Sequence, residues 1–221
     1  MTKTIKLIIV SIIPIYKIRL FLYRNIFKYK IDSSSYVGMF NILNLRRLDM
    51  EGATIGYLNF IKTDHLKMFR KSLIKKQNRI KCINELTLKN NSHIFSNNFI
   101  GGGVKGTNEN GFNFALQNII LGSNSEINRG NYVDVLRPII IGENVVFGGE
   151  GSEIWTHGYD LDRNILPGGL VFGNNIFIGS SCIFTKNISI CDNVTIGPGS
   201  VIYKSIKESG FYTTHKIVKV N

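Results

Sequence analysis

Proline is scarce in this chain, with 4 residues in 221, and acids are outnumbered, with 15 Asp and Glu against 27 Lys and Arg. Few prolines beside 22 glycines exclude a long Pro-rich linker and suit repeated tight turns. Cysteine is limited to Cys82, Cys182 and Cys191. That odd count, with no Cys-x-x-Cys, excludes a disulfide framework or a zinc ribbon and places the chain in a reducing, cytoplasmic compartment. Charged residues make up 19% and hydrophobic ones 43%, enough apolar surface for a real core and against global disorder. The formal charge of +12 admits three kinds of partner: nucleic acid, an anionic membrane surface or a phosphate-bearing small molecule. Neither a basic-aromatic RNA-binding motif nor a helix-turn-helix pattern occurs, so nucleic acid is set aside.

There is also no apolar run long enough to cross a bilayer, which needs roughly 20 residues. The longest, from Lys6 to Tyr16, continues into Lys17-Ile18-Arg19-Leu20-Phe21 without the small residues of a signal-peptidase site. Residues 1–30 hold Lys3, Lys6, Lys17, Arg19, Arg24, Lys28 and Lys30 and no acid. Such a segment reads either as a helix packed on the protein body or as a basic amphipathic segment lying on the anionic inner face of a membrane.

What the sequence does have is a period. Phe172, Ile178, Phe184, Ile190, Ile196 and Ile202 recur every six residues, and four places after each stands a second inward candidate: Ile176, Cys182, Ile188, Val194, Ser200 and Ile206. A helix wants apolar residues three and four apart, and a half-buried strand wants alternation. A beat of six fits a chain that turns a corner every six residues, three short strands making one triangular coil that stacks on the next. The beat extends upstream through Ile31, Val37, Leu43, Ile55, Ile61, Met68, Ile74, Ile80, Leu88, Ile94, Ile100, Leu121, Ile127, Val133, Ile141 and Phe147, with Asp49 out of character. The expected architecture is therefore all-β: a parallel β-helix of about eight triangular coils over 31–207. A basic helical segment (1–30) precedes it and a tail (208–221) follows. Two stretches break the period and are expected as excursion loops, 101–120 and 155–171. Function in a repeat protein concentrates in such excursions.

Ile139-Ile140-Ile141-Gly142-Glu143-Asn144-Val145-Val146-Phe147-Gly148-Gly149, followed by Trp155-Thr156-His157-Gly158-Tyr159 and unbroken coils, resembles the hexapeptide-repeat acyltransferases, both those of capsule and lipopolysaccharide synthesis and the galactoside and maltose O-acetyltransferases. The resemblance spans roughly 31–220. It implies a left-handed coil, a homotrimer with each site between two chains, acetyl-CoA as donor and a sugar hydroxyl as acceptor. It further implies that backbone around Gly179-Ser180 and Gly197-Pro198-Gly199-Ser200 meets the pantetheine, and that Lys204 and Lys216 meet the CoA phosphates. The tail departs from the family, reading Tyr212-Thr213-Thr214-His215-Lys216 where relatives carry Gly-x-Pro-Ala-Lys.

A sugar hydroxyl is too weakly acidic to attack a thioester unaided, so a base must remove its proton. His157, in a non-repeat loop between Trp155 and Gly158, is the candidate. Its second nitrogen needs an acceptor. Asp134, Glu150, Glu153 and Asp160 are available, and the resemblance favours Asp134. Trp155 and Tyr159 beside His157 are candidates to hold the acceptor, and the resemblance implies a polar residue on the preceding coil for the same task, Asn128 or, as an alternative, Asn131.

Other readings are weighed on the same residues. The γ-class carbonic anhydrases share the solenoid but need three converging histidines, and His65, His93, His157 and His215 lack their short pairing, so no metal is expected. Gly101-Gly102-Gly103-Val104-Lys105-Gly106 matches a dinucleotide fingerprint, yet turn-forming residues follow where a helix is required. Asn187-Ile188-Ser189 and Asn193-Val194-Thr195 match glycosylation sequons but fall inside coils. The remaining functional alternatives are an amino-sugar N-acetyltransferase and a catalytically silent scaffold of a polysaccharide assembly.

Overall fold

In the computed structural model, which describes residues 2–103 and 113–214, the six-residue beat becomes a stack of short parallel strands on three faces. The first face runs from Lys30–Ile31 and Arg47–Met50 up to Leu170–Phe172 and Ile188–Ile190. The second runs from Tyr36–Val37 to Gly210–Tyr212 as a 9-stranded sheet. The third runs from Ile42–Leu43 to Val201–Ile202. Two long strands, Phe60–Met68 and Arg79–Leu88, bend around a corner and so merge the first and third faces into one 14-stranded sheet. The result is a parallel β-solenoid of about nine turns, in line with the about eight coils expected and consistent with the left-handed β-helix. All six residues of the Phe172–Ile202 series are buried, and so are the six that follow them at four places. Phe147, Phe172 and Phe184 meet edge to face inside the tube, with ring centroids 5.0, 5.3 and 6.0 Å apart.

The structure explains where the beat falters. Asp49 pairs beside Met50, which stacks between Ile31 and Met68 and is the true inward residue. The chain takes seven residues from Leu43 to Met50 and only five from Met50 to Ile55, so the frame slips by one and recovers. The solenoid also reaches further than expected. Gly210–Tyr212 pairs in parallel with Val194–Ile196, which places part of the supposed tail in the second face. The expected loop at 155–171 contains an antiparallel hairpin, His157–Tyr159 against Ile165–Pro167. In the other excursion, Phe114–Leu116 forms a 3-10 turn. Val104, Lys105 and Gly106 of the glycine-rich motif, together with His215 and Lys216, lie outside the described residues.

One buried ladder holds the corner between the second and third faces. The side-chain oxygen of Asn41 accepts from the backbone N–H of Asn59 (2.9 Å) and from its amide (3.0 Å). Asn59 does the same for Asn78, and Asn78 for Asn98. Asn98 then receives the N–H of Asn131, Asn131 that of Ser152, and Ser152 that of Cys182. Each of these side chains is buried. Parallel coils leave backbone donors at every turn, and one amide per rung satisfies its own turn and the next. At the outer turns Asn144, Asn175 and Asn193 take the left-handed conformation and stack side chain on side chain. Asn187 is likewise a left-handed turn residue, which accounts for both sequons as turn chemistry.

Replacing Asn78 by Ala removes a rung that serves two neighbours and strands buried donors and acceptors, each worth about 1–3 kcal/mol. We expect Asn78→Ala to lose about 2–4 kcal/mol of stability in chemical denaturation, while Asn144→Ala, on the exposed ladder, loses under about 1 kcal/mol. Equal losses for the two would show that the buried ladder has no special role.

Candidate active site

Surplus residues leave the solenoid mainly at one corner, between the third and first faces. The chain takes seven residues from Ile61 to Met68 and eight from Ile80 to Leu88 or from Val133 to Ile141. The two long excursions leave there as well. Asp134 ends the strand Tyr132–Asp134 and opens one such short bulge. His157 begins the hairpin that leaves the next rung. Stacking of the two rungs thus brings together residues 23 apart in sequence.

His157 Nδ1 lies 2.8 Å from Asp134 Oδ2. The same oxygen accepts the N–H of Thr156 (3.0 Å) and its hydroxyl (2.6 Å). The Thr156 hydroxyl in turn accepts from the N–H of Leu136 (2.6 Å) and of Arg137 (3.3 Å). Thr156 is fully buried and Asp134 nearly so. Two backbone donors therefore aim the hydroxyl, the hydroxyl aims the carboxylate, and the carboxylate aims the ring. An ionised carboxylate only accepts hydrogen bonds, so Nδ1 carries the proton and Nε2 presents its lone pair. Nε2 makes no hydrogen bond among the described residues, and the imidazole side chain keeps 20% of its surface exposed. Trp155 and Tyr159 flank the ring edge to face, with centroids at 6.0 and 5.7 Å. Trp155 is itself fixed by donating from Nε1 to Glu153 (2.9 Å) and by leaning on Tyr132 at 5.0 Å. Burial, and then the Asp134 and Glu153 carboxylates, push the Tyr132 phenol upward. This is the geometry of a general base with an oriented imidazole in a partly desolvated aromatic niche.

The structure sorts the remaining candidates. Of the four acids, only Asp134 reaches His157. Glu150 pairs with Arg129 at 3.0 Å, and Glu153 holds Trp155. Asp160 sits at the hairpin tip, where Asn164 hydrogen bonds keep its carboxyl low. Asn128 and Asn131 belong to the far edge of the third face. Asn128 donates to the Phe147 carbonyl and Asn131 is a ladder rung, so neither is brought to His157. Gly179 is buried, and a Cβ there would come within 2.5 Å of the Pro198 nitrogen; its lack of a side chain serves coil stacking. The Ser200 hydroxyl turns inward to the Gly197 carbonyl (2.7 Å) and is unavailable to a ligand. Ser180 is exposed at the same edge. Lys204 is exposed on the His157 side of the third face, its Nζ over the Tyr203 ring at 5.5 Å. Within one chain His157 and Lys204 thus stand at one edge of that face, and Gly179, Ser180 and Gly197 at the other.

Three site residues escaped the sequence reading. Thr156 stands in the sequence as part of the Trp-Thr-His-Gly motif, where a polar side chain next to the candidate histidine signals a positioning role. Tyr132 lies two residues before Asp134 on the same strand face, a period-two relation that was legible. Lys186, whose methylenes lie 3.1 Å from where a Cβ of Gly158 would stand, becomes visible only once the hairpin is folded back. Among the described residues no group of His, Cys, Asp and Glu could hold a metal ion.

Residues 138–165 and 170–204 match the family model described as the hexapeptide repeat of succinyl-transferase. The chain is 30% identical over 98 residues to a UDP-3-O-acylglucosamine N-acyltransferase from Bordetella avium, a match covering 42% of this chain and 26% of that protein. It therefore spans about a quarter of that relative's length. Solved structures with similar folds include a hexapeptide-repeat acetyltransferase from Vibrio cholerae in complex with acetyl-CoA. That similarity has 20% identity and a TM-score of 0.41, and covers 44% of this chain and 56% of that one. Another is a maltose O-acetyltransferase from Clostridium difficile, with 21% identity, a TM-score of 0.40 and coverage of 67% and 71%.

If Asp134 fixes the tautomer, Asp134→Asn should move His157 from the Nδ1–H form toward the Nε2–H form, read from ring nitrogen-15 shifts. An unchanged tautomer would assign the orientation of the ring to its aromatic neighbours instead.

Proposed function

We propose that this hexapeptide-repeat chain is an acetyl-CoA-dependent O-acetyltransferase acting on a sugar hydroxyl in surface-polysaccharide synthesis, with His157 as its general base. The observation that carries this reading is the chain of contacts from Thr156 through Asp134 to Nδ1, which leaves Nε2 as the free basic atom in an aromatic niche. Nε2 takes the proton of the acceptor hydroxyl as its oxygen attacks the thioester carbonyl. The carbonyl becomes a tetrahedral oxyanion, and in this reading a backbone N–H near Ser180 of the neighbouring copy receives it. The intermediate collapses, the carbon–sulfur bond breaks, and the departing thiolate takes the proton back from the imidazolium. The products are the acetyl ester and free CoA. Asp134 stabilises the imidazolium during that interval. Trp155 and Tyr159 offer apolar surface to the acceptor ring.

His157 and the expected pantetheine-contacting residues Gly179, Ser180 and Gly197 stand at opposite edges of one face, and this supports a trimer. In side-by-side packing, the His157 edge of one copy meets the Gly179–Ser180 edge of the next. Lys204 and Lys216 are assigned to the CoA phosphates. The enzyme is placed in the cytoplasm, peripheral to the inner face of the membrane. The name of the Bordetella relative favours a second reading, acylation of an amino sugar by the same base. Labelled product separates the two, because an ester is cleaved by alkaline hydroxylamine and an amide survives it.

His157→Ala should lower turnover by about 10²–10⁴-fold, the usual worth of a positioned base, with CoA affinity within about threefold of the parent. Near-normal transfer would remove His157 from the mechanism. Loss of CoA binding together with turnover would place it in the donor pocket. Mixed oligomers of His157→Ala and Ser180→Trp chains, each inactive alone, should regain partial activity if sites lie between copies. No recovery in verified mixed oligomers would put the whole site in one chain.

A further inference from the structure

Two short helices cap the first coil: α1 (Lys3–Ile12) and α2 (Tyr16–Ile26), separated by Pro14. An uncapped coil would expose a triangle of unpaired edge carbonyls. The segment supplies donors to all three sides. Arg19 donates to the carbonyl of Val37 (2.8 Å), Arg24 to Ile31 (2.7 Å), Tyr29 to Leu43 and Tyr16 to Ser35. Leu7, Val10, Leu20 and Tyr23 are buried against the coil. That accounts for one side of each helix.

The other side has no partner among the described residues. Eight large apolar side chains between Ile5 and Ile26 are each 44–61% exposed. On α1, Ile5, Ile8, Ile9 and Ile12 recur at three- and four-residue spacing opposite Leu7 and Val10. On α2, Ile18 and Phe21, the most exposed of the eight, lie opposite Arg19 and Tyr23. Phe40 extends the patch, tied to the end of α1 by its N–H to the Ser11 carbonyl (2.8 Å) and half exposed. A contiguous apolar patch on this scale marks an interaction surface. Its rim identifies the partner. Lys6, Lys17, Lys28 and Lys30 are exposed around it, and the first acid in the chain is Asp32. A second copy docked on the same patch would bring two such lysine sets together without a counter-charge, which costs affinity. Neither helix is long enough to cross a bilayer.

We propose that this cap is a docking surface for an anionic lipid bilayer, with α1 and α2 lying in the interface and the solenoid standing end-on above it. Isoleucine and phenylalanine enter the headgroup boundary while the lysines meet lipid phosphates. His157 follows the sixth rung of the third face. At about 4.8 Å per rung it stands roughly 24 Å above the first coil, on the side away from the lipid. The proposal does not depend on the reaction assigned to His157.

Flotation of the full chain tests it, using phosphatidylcholine vesicles with and without phosphatidylglycerol. The protein should float with the anionic vesicles, stay down with neutral ones and be released by high salt. Replacing Lys6, Lys17 and Lys28 by Gln should weaken partitioning by about a hundredfold, from about fivefold per lysine at the surface. The triple variant Ile8→Gln, Ile12→Gln, Phe21→Gln should weaken it at least tenfold with an unchanged circular-dichroism melt, because those side chains make little of the native core. Orientation is read separately. A Phe21→Trp reporter should be quenched by brominated lipid, while native Trp155, the single tryptophan of the chain, is not. Failure of the parent to float, or equal flotation of the Ile8, Ile12 and Phe21 variant, overturns the proposal. So does a concentration-dependent doubling of mass in light scattering that this variant abolishes while the parent ignores vesicles, because a second copy then covers the patch. Quenching of Trp155 overturns the end-on orientation.

Discussion

Everything in this molecule depends on keeping successive coils in register, and the buried asparagines from Asn41 to Asn131 set that register. The amide oxygens of Asn41, Asn59 and Asn78 each take two donors from the rung after, and those of Asn98 and Asn131 take one backbone N–H, so a coil that slipped by one residue would lose these bonds in a place water cannot reach. Apolar stacking alone does not prevent such a slip. Isoleucine on isoleucine is nearly as good one place along, and only the alternation of inside and outside opposes it. The ladder turns a permissive apolar stack into a single alignment.

That constraint decides where the chain can vary. At the ladder corner the step between inward residues stays at six from Val37 to Leu43 through Ile127 to Val133. It reaches seven only from Phe147 to Ile154, where the ladder has passed from asparagine to Ser152 and Glu150 and Gly151 both adopt positive φ. The corner between the third and first faces has no such ladder. It absorbs one or two surplus residues in early coils and whole excursions in later ones. Chemistry gathers at the corner that the packing leaves free. The excursions there all leave the same edge, so Asp134 and His157 become neighbours without any long-range fold requirement beyond stacking.

The period was legible because large apolar side chains must fill a narrow tube at fixed intervals, and nothing else yields an unbroken beat from Phe172 to Ile202. The Asp134–His157 pair was legible only in part: the break in the repeat singled out His157, but four acids could have oriented it, and it was the family resemblance that favoured Asp134. The resemblance pointed to Asn128 and Asn131 for the acceptor site, as polar residues on the coil before the histidine loop. Inside a solenoid corner the backbone itself is the ligand, and the sequence does not distinguish the two. Gly179 illustrates the same ambiguity, since close approach of a neighbouring coil and close approach of a pantetheine arm both require a missing Cβ. The hairpin over His157–Pro167 was unreadable as strand because its pairing is with itself. It follows neither the six-residue beat nor a clean alternation.

The placement of His157 at the root of its excursion, rather than at the tip, suits the role of base proposed for it. At the tip, Leu161 is fully exposed and the turn is tied by hydrogen bonds within itself, from Asp160 to Asn164 and from the Arg163 N–H to the Asp160 carbonyl. A base there would wander by more than the tolerance of about half an ångström that productive proton transfer allows. At the root, Thr156 still belongs to the coil wall. It is buried, donates to Asp134 and receives two backbone N–H groups from the adjacent bulge. The imidazole therefore inherits the rigidity of the stacked coils through one residue of chain and one carboxylate, while the rest of the hairpin remains free to shape the surroundings of the acceptor. Moving the histidine two places along, to Tyr159, would keep it on the same face of the hairpin strand but beyond reach of Asp134. Only position 157 is both outside the repeat and still held by it.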